Sequence, residues 1–282
     1  MNRRGWQSAA ALGAAAGLGV WLAWGNRSVA LHRIAVACPR LPEAFTGFRI
    51  ALVSDLHDTA FGRGNRRLLA RLAEARPDLI AVTGDILHSR RPDGAVAAAF
   101  AEAAAGLAPT YFVTGNHEAR VRDVYRRLEA RMEAAGVQVL RGGSSFLVRG
   151  GDFLQIIGLD DPCFYRTAPA ASALARDLAR LRAPDTFTVL LVHRPELLEL
   201  YAAAGVDLVL CGHAHGGQVR LPGIGGLLAP GQGLFPAYDG GLYRAGDTQM
   251  VVSRGLGNSV CLPRVGNRPE VVLVELMRQE SG

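Results

Sequence analysis

The chain has 282 residues, 49% of them hydrophobic and 20% charged, a globular composition with room for one large α/β domain or two small ones. All 31 basic residues are arginine, so P-loop and Schiff-base chemistry, which need a lysine, are excluded. The formal charge is +6, but the arginines are spread along the chain without a dense run, which argues against nucleic acid as a partner.

Residues 8 to 24 carry no charge and run through Ala, Gly, Leu, Val and Trp, 17 residues at the lower limit for spanning a bilayer. With Arg3 and Arg4 ahead of it, segment 1–26 reads as a transmembrane anchor or a signal helix, and the arginine pair loosely resembles a twin-arginine export signal. Ser28-Val29-Ala30 would serve as a cleavage site. Arg27, Arg33 and Arg40 answer the arginines before the span, so charge does not fix an orientation. Residues 27–47 read as a linker and 48–282 as the folded domain. Cys38, Cys163, Cys211 and Cys261 show no CxxC spacing and read as free thiols, with a disulfide at Cys38 expected only if the domain is exported.

The domain then alternates strand and helix signals. Phe48–Ser54 predicts a strand that ends at Asp55. A helix over 65–76 places Leu68, Leu69 and Leu72 on one face, with Asn65 as N-cap and Pro77 as its stop. Leu79–Thr83 predicts a strand ending at Asp85, Ala95–Leu107 an alanine-rich helix, and Thr110–Thr114 a strand with Asn116 and His117 immediately after it. A helix is expected over 121–135, strands over 137–140, 145–148 and 153–158, and a helix over 169–181. The strand 188–192 delivers His193, and 206–211 delivers His213 and His215; strands over 249–253 and 271–276 close the pattern. Ligands of open α/β sheets sit beyond the carboxyl ends of strands, so these segments converge on one site. The expected architecture is α/β, two facing mixed β-sheets flanked by helices.

Five of the seven histidines fall in blocks with acids, an asparagine and glycines: Asp55-x-His57, Gly84-Asp85, Gly115-Asn-His-Glu118, His193 and Gly212-His-Ala-His215. Mixed oxygen and imidazole ligands without cysteine suit divalent zinc, manganese or iron and argue against a closed structural zinc site. In extended backbone the residues of Asp55-x-His57 and of His213-x-His215 would lie on one side and reach one cluster. Asp85, after a glycine, projects as a bridging carboxylate, and Asn116 adds a neutral oxygen. Two divalent ions less two carboxylates leave a positive surplus that matches a hydroxide and a phosphoryl oxygen anion, the two-metal mode of in-line displacement at phosphorus. His117, not needed for coordination, is assigned to proton donation toward the leaving alkoxide as an imidazolium, with Glu118 orienting it or bonding to backbone.

In order, these blocks match D-x-H, G-D, G-N-H-[DE], H and G-H-x-H, and the chain resembles the calcineurin-like metallophosphoesterases over residues 48–277. That resemblance implies one metal on Asp55, His57, Asp85 and His215, a second on Asp85, Asn116, His193 and His213, and His117 as the acid. Ser54-Asp-Leu-His57 with Phe61-Gly62, Gly212-His-Ala-His-Gly-Gly-Gln218 and Ser253-Arg-Gly-Leu-Gly257 are similar to the bacterial membrane-associated YaeI-like phosphodiesterases, with Ala214 where threonine is common. The branch implies a bacterial inner-membrane location, with export of the domain the favoured side. Relatives that cleave UDP-diacylglucosamine imply a lipid-linked phosphodiester or pyrophosphate substrate. The alternatives are a non-catalytic metal-binding interaction module of the same fold and a soluble nucleotide phosphodiesterase.

Several residues outside the blocks carry weaker expectations. Gly62–Asn65 reads as a phosphate cradle or a plain turn, His88 as a rim residue, and Asp160-Asp161 before Pro162 as a turn or an outer support. Arg194 has a phosphate-binding reading with nothing to orient it. The glycine- and proline-rich stretch 222–241 reads as a lid, a membrane-facing rim or a packed loop.

Overall fold

The computed structural model describes residues 3–165, 169–259 and 263–279, with side chains from residue 12 onward. Helix α1 (Arg3–Arg27) leads into β1 (Ala30–Cys38), followed by β2 (Arg49–Val53), α2 (Arg66–Ala75), β3 (Leu79–Thr83), α3 (Ala95–Ala105), β4 (Thr110–Val113), α4 (Asn116–Arg120), α5 (Arg122–Ala134) and β5 (Gln138–Val139). The second half runs β6 (Gly143–Arg149), β7 (Asp152–Gly158), α6 (Ala170–Leu181), β8 (Thr188–Leu191), α7 (Leu198–Ala203) and β9 (Leu208–Cys211). Four two-residue strands follow, β10 (Arg220–Leu221), β11 (Gly225–Gly226), β12 (Leu228–Ala229) and β13 (Gly233–Leu234), then β14 (Gly241–Ala245), β15 (Thr248–Val252) and β16 (Glu270–Arg278).

Two six-stranded mixed sheets result, ordered β1-β16-β2-β3-β4-β5 and β14-β15-β9-β8-β7-β6. In the first, β2, β3, β4 and β5 run parallel; in the second, β15, β9, β8 and β7 do. Side-chain alternation divides each strand between two cores. Ile50 and Leu52 of β2 face the second sheet and pack with Tyr111, Leu154, Val189 and Leu208. Ala51 and Val53 turn the other way, under Leu68 of α2, Phe100 of α3 and Leu128 of α5. Leu190, Val209 and Met250 of the second sheet pack outward on Leu174 and Leu178 of α6 and Tyr201 of α7. The layers are therefore helix, sheet, sheet, helix, as the strand and helix alternation implies. Strands such as β3, buried at every position, are continuous apolar runs because both of their faces are covered.

Three expectations change. The segment 27–47 is no linker: it carries β1, whose nine residues pair in parallel with β16 from Ala30 opposite Glu270 to Cys38 opposite Arg278, so it belongs to the first sheet. Its alternating, half-exposed burial and the polar pair His32-Arg33 hide an edge strand. The proposed cleavage site runs straight into that strand, with Val29 buried. Second, among the described residues no helix is long and apolar enough to cross a membrane. The apolar run 8–24 lies inside α1. Third, the stretch 222–241, expected as a long loop, carries short strands, β10 pairing with β11 and β12 with β13 in two small hairpins. Cys38 and Cys211 are buried free thiols and Cys163 an exposed one; Cys261 lies outside the described residues.

Candidate metal centre

Every residue of the sequence blocks sits just past the carboxyl end of a strand, where the backbone turns sharply. Asp55, His57, Asp85, His213 and His215 all adopt left-handed backbone, with φ between 48° and 67°. Such a conformation costs an L-residue on the order of 1–2 kcal/mol, so tertiary packing holds it here. The expectation of extended pairs is thereby corrected: Asp55 and His57 meet through a tight turn, and His213 and His215 divide between two clusters. Close backbone approach makes this possible. A Cβ on Gly212 would lie 1.9 Å from Ser54 Oγ and 2.5 Å from Asp55 Oδ2, and one on Gly115 would lie 2.2 Å from Asp85 Oδ1.

Three overlapping groups have ligand atoms within 4.8 Å of one another: Asp55, His57 and His215; His57, Asp85 and His117; and Asp85, His193 and His213. In the first, His57 Nε2 lies 3.2 Å from His215 Nε2, which is 3.4 Å from Asp55 Oδ1. In the last, His193 Nε2 lies 3.2 Å from Asp85 Oδ2 and 3.0 Å from His213 Nδ1. Asp85 Oδ2 joins the groups, 3.9 Å from both His57 Nε2 and His117 Nε2.

Each carboxylate has one oxygen held by backbone and one released. Asp55 Oδ2 accepts from His213 N–H at 3.1 Å and Asp85 Oδ1 from His117 N–H at 2.7 Å. Asp55 Oδ1 and Asn116 Oδ1 are buried acceptors with no hydrogen-bond donor among the described residues. Orphaned buried oxygens of this kind are costly, and a cation satisfies them. The histidines are oriented as metal ligands usually are, since His57 Nδ1–H faces Leu87 O at 3.2 Å and His193 Nδ1–H donates to Thr83 O at 2.8 Å. His215 differs, its Nδ1 lying 3.3 Å from Arg264 Nη2.

Burial pushes His57 and His213 well down and takes His215 to about 4, so these rings are neutral with lone pairs free. His193 goes the other way: burial would lower it, but the Asp85 carboxylate beside it outweighs that and pushes it up to about 10. The donor set thus holds a positive charge next to Asp85 even as a proton, and fits two divalent ions on Asp55, His57, Asp85, Asn116, His193, His213 and His215.

His117 lies at the rim. Its Nδ1 accepts from Ser89 N–H at 3.0 Å, and a backbone N–H can only donate, so the ring is neutral with its hydrogen on Nε2, the atom that faces Asp85. Burial lowers His117 in the same direction, with Asp85 opposing. The imidazolium expected from sequence is therefore not the form this geometry holds. Glu118 takes the backbone role: its carboxylate accepts from Asp85 N–H, Gly115 N–H and Leu87 N–H at 2.7 to 3.0 Å. Burial, with Asp85 adding, pushes it up to about 7, while those three donors favour the ionised form.

Among the weaker expectations, Arg194 is oriented after all. It grips the buried Asp161 through Nε at 2.7 Å and Nη2 at 3.2 Å. With Arg120, Asn116, His117 and His213 it lines a cavity of about 260 Å³ over the metal face. His88 sits at the rim of an adjoining cavity of about 450 Å³ with His57, Arg90 and Arg91. A third, of about 310 Å³, opens beside His215 with apolar walls from Val219, Leu227, Leu228, Ala229 and Pro230. Gly62–Asn65 borders none of these cavities, and Asn65 Oδ1 instead accepts from Phe61 N–H at 2.9 Å. Arg264 and Asn267, which no sequence signal marks, support the centre from behind.

The model of the calcineurin-like phosphoesterase family matches residues 48–217. The chain belongs to that family. It is 32% identical over 246 residues to the uncharacterized metallophosphoesterase YkuE of Bacillus subtilis, covering 84% of this chain and 81% of that one. It is 30% identical over 234 residues to the phosphodiesterase YaeI of Escherichia coli, covering 82% of each. A solved structure, the phosphopantetheinyl hydrolase of Mycobacterium tuberculosis, shares the fold with a TM-score of 0.50 at 15% identity, covering 76% of this chain and 91% of that one. With that family, those relatives and these ligand clusters, the protein is a dinuclear-metal phosphoester hydrolase.

Proposed function

We propose that the chain is a phosphodiesterase that cleaves its ester at the face shared by the two clusters, where Asp85 would serve both ions. The observation that carries this reading is Asp85 Oδ2, a single oxygen that faces imidazole nitrogens from both sheets. Two divalent ions, when bound, supply Lewis acidity and a water acidic enough to attack phosphorus near neutral pH. Asp55, His57, Asp85 and His215 would hold one, and Asp85, Asn116, His193 and His213 the other. His117 would hydrogen-bond the leaving oxygen through its neutral Nε2–H, the proton itself coming from water, while Ser89 N–H keeps that tautomer in place. Arg120 and the Asp161-held Arg194 line the same cavity and bind the phosphoryl oxygens.

A lipid-linked substrate is the finer reading. The apolar cavity beside His215 accepts a hydrocarbon substituent, and Leu234 and Phe235 of the neighbouring hairpin are exposed. Helix α1, with exposed Leu18, Val20, Trp21 and Trp24, would lie at a membrane surface or anchor the chain there. Manganese-loaded full-length protein should hydrolyse an activated aryl phosphodiester. Asp85→Ala should lower both bound metal and activity by at least about a hundredfold, whereas His117→Ala should keep its metal and lose about 10²- to 10⁴-fold in kcat. Full rates in both variants would sink the mechanism.

A further inference from the structure

The last turn of α1 is bonded to a segment that reaches the metal centre. Asn26 makes a reciprocal pair with the backbone of Arg264, its Nδ2 donating to Arg264 O at 2.9 Å and its Oδ1 accepting from Arg264 N–H at 2.8 Å. The Arg268 guanidinium stacks 4.7 Å from the Trp24 ring centroid on the same helix. From there the buried Arg264 side chain runs inward. Nη1 donates to Arg254 O at 2.7 Å, Nη2 to Gly257 O at 2.6 Å and Nε to Asn258 Oδ1 at 3.0 Å.

Those acceptors belong to the loop that seats Asp55. Gly257 N–H donates to Asp55 O at 2.6 Å and Leu256 N–H to Ser54 O at 3.1 Å. A Cβ on Gly255 would come within 2.8 Å of Asp55 Cβ, so the loop lies directly on the ligand. Arg264 Nη2 also touches the edge of the His215 ring, and Asn267 Nδ2 donates to His215 O at 2.7 Å. Asp55 and His215 both belong to the first cluster. No hydrogen bond from Arg264 or Asn26 reaches Asp85, His193 or His213 of the other.

We propose that Asn26 and Arg264 are positioning residues for the first metal position, so that the seating of α1 on the body sets how tightly that position, and not the second, holds its ion. This rests on reading the two clusters as metal sites. Its physical basis is that outer partners fix ligand orientation, and disturbing them typically lowers metal affinity by about 10- to 100-fold. Arg264 holds Gly257, whose N–H bonds the Asp55 carbonyl, and lies against the His215 ring, while Asn26 bonds the Arg264 backbone.

The test is equilibrium titration of the full-length, metal-stripped chain with manganese, following free ion. The parent should bind two ions; a parent that binds none or one removes the underlying reading and this inference with it. Arg264→Gln should weaken one step by about 10-fold or more, and Asn26→Ala, which leaves the buried arginine in place, by a smaller factor. In a His57→Ala background, which disables the first cluster, Asn26→Ala should change nothing further. In an Asn116→Ala background it should still weaken the remaining step. Equal weakening of both steps, no change in either, or tighter binding of the first would each overturn the proposal, the last by showing that Arg264 competes with the cation for His215.

Discussion

The first sheet carries every candidate oxygen ligand, Asp55, Asp85 and Asn116, together with His57, while the second carries only imidazoles, His193, His213 and His215. Neither half is complete. Asp85 has its nearest imidazole on the other sheet, His193 at 3.2 Å, and Asp55 Oδ1 lies 3.4 Å from His215 of that sheet. The carboxylates bring charge that only a cation or a protonated ring can balance; of the opposing rings His213 and His215 are neutral, while His193 holds a proton beside Asp85. The centre is therefore a property of the interface, held by the apolar core between the sheets.

The sharpest way to break that interface is at Gly212, whose missing side chain lets the second sheet's turn lie on Ser54 and Asp55 of the first. Gly212→Ala should cost about 1–3 kcal/mol in stability and remove metal-dependent activity, read by chemical denaturation and aryl phosphodiester turnover. Wild-type turnover would show that the two turns do not need this contact. A change confined to the first half should do less. Glu118→Gln leaves a backbone N–H facing an amide, at a cost of about 1–3 kcal/mol, with the second-sheet rings in place. Unfolding curves that superimpose on the parent's would contradict it.

The smallest effect is expected at Glu270 of β16, which sits next to Arg254 and His32. Burial would raise Glu270, but the His32 hydrogen bond and the Arg254 charge outweigh it and hold the carboxyl below its usual value. A lowered folded-state pKa stabilises above the unfolded value, and that contribution is lost as pH falls through the folded one. Glu270→Gln should therefore flatten the acid side of the stability profile and leave the shape of the neutral side unaltered. An unchanged acid limb in urea titrations would refute this.

Much of the architecture was legible because strands covered on both faces are apolar runs, and amphipathic helices such as α2 show Leu68 and Leu72 one turn apart. Of the four edge strands β5 and β6 were expected, whereas β1 and β14 were not. β14 alternates between half-exposed and exposed positions, β1 is mostly half-exposed or exposed until Val36 and Cys38, and β1 pairs with a strand about 240 residues away, so no local pattern marks it. Arg264 was equally silent, a lone arginine after a proline whose reach to His215 exists only once the chain is folded.

Sequence alone singled out the candidate ligand residues and their order, since the chemistry of divalent cations restricts donors to a few side chains and those occur here in compact blocks. It also determined that these blocks end strands. Only the tertiary structure decided how they meet: the left-handed turns at Asp55, His57, Asp85, His213 and His215, and the tautomer of His117. The reason is that each of these is imposed by groups distant in sequence, a glycine backbone, a carbonyl or an amide of the opposing segment, and such groups have no fixed spacing that a linear pattern can show.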